Sequence, residues 1–213
     1  DIMATEPVNG ARLADKLALE SREGEIYRTL YRIGRERRAD IEAVPGSGKI
    51  RGVAVYRGDV LAWRNDEDGL LLDCYKATVT GWDKVTDLSG GDALSGSQKV
   101  RTITYNFQAG GARGINLYIV DGQNAAIEWD GSTATAIAGS LAGVPFLVAA
   151  VTNHLFLGFA NGSLVASATG DPTEWTTGAT EISMGDDLTA LQQLPGGVFA
   201  IMCRKQIDLL YGN

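Results

Sequence analysis

The chain has 213 residues, 45% of them apolar, 27 glycines, five prolines and a net charge of −7. That much apolar content can bury a core in one or two domains, and the scattered glycines exclude collagen-like and low-complexity chains while pointing to many turns and short strands. A pI near 4.8 argues against a protein that grips phosphate backbones by counterion release.

In chain order, residues 1–10 read as a loose leader without the charged and apolar segments of a signal peptide. The segment 1–44 forms an N-terminal arm, partly helical and charge-rich. Leu13 and Leu17 stand four apart in Ala11–Glu20, which predicts a short helix. In EIYRTLYRIG, Ile26, Leu30 and Ile33 keep helical spacing whereas Tyr27, Thr29 and Tyr31 alternate as in a strand, so both forms stay open. Arg28, Arg32, Arg35, Arg37 and Arg38 crowd this arm, with Tyr27 and Tyr31 as potential stacking groups for nucleic acid. Seven acids between Arg12 and Glu42 nearly neutralise it, which favours a salt-bridged arm at a subunit or adaptor interface.

Residues 45–213 read as one β domain of about four units, with short apolar runs between Gly, Asn and Asp turns. IRGVAVYRGDVLAWRN is a hairpin about Arg57-Gly58-Asp59. GINLYIVDGQNAAIEWDGSTATAI turns at Asp121-Gly122 and Asp130-Gly131, HLFLGFANGSLVASAT at Asn161-Gly162, and GGVFAIMCRKQIDLLYG at Arg204-Lys205. Turns near residues 58, 122, 161 and 204 are spaced by about 64, 39 and 43 residues, and the last two intervals match a four-stranded propeller blade. The expected fold is all-β, with propeller-like repeated antiparallel blades, complete or incomplete; a sandwich or irregular barrel is the alternative.

The chemical motifs are weak. VPGSGKI has Ala43 where a phosphate-binding loop needs its first glycine and Ile50 where it needs a hydroxyl, so it reads as a turn. His154 is the one histidine, and no Gly-x-Ser-x-Gly elbow offers it a nucleophile. Asp66, Glu67 and Asp68, like Asp186 and Asp187, sit beside glycine, where acids cap turns. DEDG lacks the spacing of a calcium loop. Cys74 and Cys203 are isolated and read as reduced, buried small hydrophobes rather than metal or redox groups. No run is long enough to cross a bilayer as a helix, so no membrane insertion is expected. Neither a catalytic residue nor a cofactor or metal site is expected, and the chain is read as a non-enzyme.

SATGDPTEW places a large aromatic after a polar turn. The sialidase-type Asp-box runs Ser-x-Asp-x-Gly-x-x-Trp, whereas here Gly170 precedes Asp171, so the enzyme inference fails. The structural role survives: Gly170 permits the turn, Asp171 binds backbone amides, Pro172 fixes φ and Trp175 folds over neighbouring strands. VTGWDKV around Trp82 is read the same way.

PGSGKIRGVAVYRGDVLAW and SLVASATGDPTEWTTGATEISMGDDLTALQQLPGGVFAIMCRKQIDLLYG resemble segments of the tail-nozzle and tail-hub β-propeller proteins of short-tailed bacteriophages. The likeness runs from Pro45 to Asn213 and is most specific in the last fifty residues. It implies a virion structural protein, assembled in the host cytoplasm, forming an oligomeric ring that is usually sixfold. Such a ring contacts neighbouring tail or connector proteins, extends the DNA conduit and retains the genome until ejection. The family has no catalytic residues to transfer, and this chain is shorter than a full propeller and platform. A conduit should pass DNA without tight binding, so an acidic lumen is expected; from residue 43 onward there are eleven basic and seventeen acidic residues. The alternative is a carbohydrate-binding or carbohydrate-cleaving β module on a phage or bacterial surface. That reading needs Trp63, Trp129 and Trp175 exposed over a cleft, whereas the scaffold needs them buried.

Overall fold

The computed structural model describes residues 22–39, 42–88, 98–107, 114–137, 141, 143–175 and 181–211. The chain divides into two compact units, Asp1–Ala43 with Val79–Gly81, and Val44–Thr78 with Trp82–Asn213. The described part of the first centres on α1 (Arg22–Ala39), so the helical spacing of Ile26, Leu30 and Ile33 prevails over the alternation. Local i,i+4 geometry favours this outcome, which also brings Arg32 and Glu36 within 4.0 Å. Ala11–Glu20, the other helix expected from sequence, lies outside the described residues.

The second unit holds four antiparallel sheets, each a meander. Sheet 1 is β1 (Ser47–Tyr56), β2 (Asp59–Asn65), β3 (Leu72–Ala77) and β4 (Trp82–Val85). Sheet 2 is β5 (Arg101–Tyr105), β6 (Asn116–Val120), β7 (Ala126–Trp129) and β8 (Ala134–Ile137). Sheet 3 is β9 (Pro145–Val151), β10 (His154–Phe159), β11 (Ser163–Ala166) and β12 (Glu181–Ser183). Sheet 4 has three strands, β13 (Leu188–Leu194), β14 (Val198–Cys203) and β15 (Ile207–Tyr211). Among the described residues no sheet closes into a barrel.

The predicted turns join strands as expected, with one shift of phase. Arg57-Gly58, both at positive φ, joins the first two strands of sheet 1. The turns near 122, 161 and 204 instead join the second and third strands of sheets 2, 3 and 4. Their counterpart in sheet 1 is residues 66–71, between β2 and β3. Comparing unlike hairpins accounts for only part of the longer first interval, because the spacing from residues 66–71 to the turn near 122 still exceeds the other two.

Strand alternation sends side chains to opposite faces, and sheets 2 and 3 bury both. Trp63, Leu61 and Cys74 of sheet 1 pack with Leu117, Ile119 and Trp129 of sheet 2. The other face of sheet 2, with Tyr118, Val120 and Ala126, packs with Leu155, Leu157 and Val165 of sheet 3. The reverse of sheet 3, with Leu147, Ala149 and Leu164, packs with Leu188, Phe199 and Ile201 of sheet 4. Consecutive sheets also meet through their first strands, β1 with β5, β5 with β9 and β9 with β13.

Polar links lock these junctions. The Val100 amide donates to the Arg51 carbonyl at 3.1 Å, and Gly52 passes so close that a Cβ there would lie 2.8 Å from Val100. Between sheets 2 and 3, Arg101 donates to the Phe146 carbonyl at 2.8 Å, and burial lowers its affinity for its proton. At the end of sheet 3, the Met184 amide donates to the Gly162 carbonyl at 3.0 Å and extends the β11–β12 pairing. Gly162 has φ 79°, and an added Cβ would stand 2.5 Å from the Asp186 carbonyl oxygen.

Both cysteines are buried and free. Burial pushes each thiol toward the protonated form, with nearby carboxylates adding to the effect. Cys74 should therefore resist a thiol-specific alkylating reagent in the native state at pH 8 and react once denaturant is added; rapid native labelling would contradict its burial. Trp63 is fully buried, so Trp63→Ala should reduce unfolding free energy by about 3–5 kcal/mol, read from the denaturant midpoint.

Candidate functional site

The turn singled out in the sequence is built into sheet 3 and its junction with sheet 2. Gly170, at φ 75°, donates its amide to the Asn153 carbonyl at 2.6 Å, tying it to the β9–β10 hairpin. Asp171 accepts from the Thr173 amide at 2.9 Å and the Thr173 hydroxyl at 2.6 Å. Its own amide donates to the Ala168 carbonyl at 3.2 Å, while the Ala168 amide donates to Glu174 at 2.8 Å. Pro172 is buried, and this closed ring of contacts drives Trp175 into the cluster of Tyr118, Leu155 and Leu157. The Trp175 indole nitrogen has no hydrogen-bond partner there, so ring burial rather than polar recognition holds it.

The other tryptophans follow suit. Trp63 and Trp129 are also buried, and Trp129 donates to Asp87. Trp82 packs against Val44, Ala62 and Tyr75 on the opposite face of sheet 1 from Trp63. Trp63, Trp129 and Trp175 thus form no exposed sugar-stacking platform.

The carboxylate clusters cap turns. Asp66 accepts from the Leu70 and Leu71 amides at 2.9 and 3.2 Å. Asp186 accepts from the Asp187 and Lys205 amides at 2.9 and 2.7 Å, and Asp187 lies 3.4 Å from Arg204. Backbone and hydroxyl donors from Ser132 and Thr133 hold Asp130 below the usual carboxylate range. His154 is tied by both ring nitrogens, to the Ser167 carbonyl at 2.8 Å and the Thr169 hydroxyl at 3.2 Å. Glu128, which sequence reasoning passed over, is buried and accepts from Asn116 and Tyr118 at 2.8 and 2.9 Å. Its signal was a charged residue inside an apolar strand, AIEW.

Among the described residues, two clefts gather several charged side chains. One, of about 410 Å³, brings together Tyr56, Arg57, Asp59, Lys76, Asp83 and Asp87. Several of its charges are already engaged: Lys76 lies 3.0 Å from Asp59, and Arg57 sits over the Tyr56 ring while donating to the Ile115 carbonyl at 3.0 Å. Tyr56 donates to that carbonyl at 2.7 Å, and burial is the main cause that raises its phenol. The second cleft joins Arg51, Lys99 and Arg101 beside Phe146. Among the described residues no group of three or more His, Cys, Asp or Glu could hold a metal.

Of the predicted arm, Arg28, Arg32 and Arg35 lie on α1. Arg37 and Arg38 occupy its final turn, their side chains outside the described set. Ile26, Leu30 and Ile33 form an exposed apolar stripe along the same helix.

No protein-family model matches the chain, and no curated protein matches it. Among solved structures, the crystal structure of the computationally designed Ika4 protein is similar with a TM-score of 0.48 and 14% identity, covering 80% of this chain and 97% of that one. A similarity at this level carries no argument about function.

Trp175→Ala should destabilise the second unit by about 3 kcal/mol or more, whereas Asp171→Ala should cost about 1 kcal/mol by freeing the turn. Equal, negligible effects in urea titrations would show that the turn does not organise the junction.

Proposed function

We propose that this chain is a non-enzymatic structural component of a bacteriophage tail, a nozzle or hub ring built from propeller-like blades. In this reading each four-stranded meander is a blade, and β1, β5, β9 and β13 are the innermost strands. One observation carries it: the Gly170–Trp175 turn, on which the likeness to tail proteins is most specific, buries its Trp between consecutive sheets. That is a scaffold's use of the motif. The alternative carbohydrate module loses support because Trp63, Trp129 and Trp175 are all buried.

The tail reading makes copies of the chain associate, with α1 and its arginines offered to a neighbouring tail or connector protein. The excess of acids in the second unit supports passage of DNA without tight binding, although its innermost strands carry only basic charges, Lys49, Arg51 and Arg101. The expected acidic lumen must accordingly be formed by other surfaces.

Negative-stain electron microscopy of concentrated protein should show annular particles with an open channel, and duplex DNA should not be retained in a mobility-shift assay at physiological salt. Saturable glycan binding without annular particles would replace the conduit by the carbohydrate module.

A further inference from the structure

Among the described residues, the two end sheets of the stack each keep part of one apolar face uncovered. On sheet 4, alternate residues of three strands form a grid. Leu194, Val198 and Tyr211 share one row, Gln192, Ala200 and Leu209 the next, and Ala190, Met202 and Ile207 the third. Eight of these nine positions are apolar. The opposite face of the same strands, with Phe199 and Ile201, is the one packed on sheet 3. Sheet 4 therefore has the two-sided apolar pattern of sheets 2 and 3, yet Ile207 and Tyr211 are 66% and 68% exposed. A strand that is apolar on both faces belongs between two layers.

At the other end of the stack, sheet 1 turns Trp63 and Leu61 toward sheet 2 and leaves Val53, Val55 and Val60 exposed on its other face, beside the part where Trp82 and Val44 bury Ala62 and Tyr75. Val55 pairs directly with Val60, and Val53 with Ala62. Within the chain, each sheet offers one face to the sheet before it and the other to the sheet after it. The uncovered face of sheet 1 corresponds to the faces of sheets 2, 3 and 4 that meet a preceding sheet. The uncovered face of sheet 4 corresponds to those that meet a following one.

Charge does not oppose a pairing of these two faces. None of the nine grid positions on sheet 4 is charged, and Asp208 pairs with Ile201 on the face packed against sheet 3. Val53, Val55 and Val60 likewise offer apolar side chains, while Arg57 of the same hairpin is engaged with the Ile115 carbonyl.

We propose that the occupant of the sheet 4 face is a second copy of this chain, docked through the Val53–Val55–Val60 face of its sheet 1. The contact is heterologous, repeats between copies the stacking found within one, and closes into a ring where the rotation permits. It names the surfaces of the ring reading above and rests on that reading for the expectation that copies associate.

Two single variants test it by sedimentation velocity across a concentration series: Leu209→Asp, which blocks the sheet 4 face, and Val55→Asp, which blocks the sheet 1 face. Both positions are exposed, and unchanged circular dichroism and denaturant midpoints verify that the variants fold. Each variant alone should self-associate about tenfold more weakly than the unmodified chain, or worse. Mixed in equal amounts they should form a one-to-one dimer, because each retains the face that the other lacks. If Val55→Asp still dimerises by itself, the contact is isologous and the proposal is overturned. If the unmodified chain associates and neither variant weakens it, the interface lies elsewhere while the ring reading stands. A one-to-one dimer of the blocked variants, found together with glycan binding and no annular particles, would retain this interface and discard the tail reading.

Discussion

Burial on both faces of a β-sheet is the constraint from which the second unit follows. A sheet with apolar side chains on alternate and intervening positions alike has no face to give to water, so it must lie between two others. Tyr118 and Val120 point one way from β6 while Leu117 and Ile119 point the other, and both pairs are buried. Four meanders stacked through three apolar clusters satisfy that condition for sheets 2 and 3. Among the described residues the end sheets do not meet it, and each leaves part of an apolar face exposed.

Stacking of this kind also dictates where polar groups go. Turns at the sheet ends are capped by Asp66, Asp130, Asp171 and Asp186, whose oxygens accept the backbone amides that no strand satisfies. Carboxylates that in isolation invite a catalytic reading thereby become fasteners. Glu128 shows the same economy in the interior, where Asn116 and Tyr118 donate to a polar group that would otherwise be costly to bury. Trp63, Trp129 and Trp175 serve the stack in the same manner, as large apolar side chains between layers.

These features share one pattern: carboxylates are engaged at turns, Trp63, Trp129 and Trp175 are buried, and the end sheets carry exposed apolar positions. The basic cleft at Arg51, Lys99 and Arg101 is the local exception on an acidic body. It lies where sheets 1, 2 and 3 approach one another, and there the Arg101 guanidinium bonds the Phe146 carbonyl and covers its ring.

Much of the local architecture is legible in the sequence itself. Alternating apolar residues and Gly-, Asn- and Asp-rich turns are local properties, so the hairpins about Arg57-Gly58, Asn161-Gly162 and Arg204-Lys205 can be read directly, as can the turn that precedes Trp175. Helix or strand for residues 22–39 cannot, because Ile, Leu and Tyr there fit two periodicities. The phase of the repeat is hidden too, since β1–β2 and β2–β3 turns look alike until strand pairing distinguishes them. Which face of each strand meets which sheet, that Trp63 and Trp129 share one junction while Trp175 lies at the next, and that Leu209, Tyr211 and Val55 are left exposed were decided only by tertiary structure. Those properties depend on contacts between residues far apart in the chain, and a periodicity of two specifies that a strand has two faces without specifying what covers either.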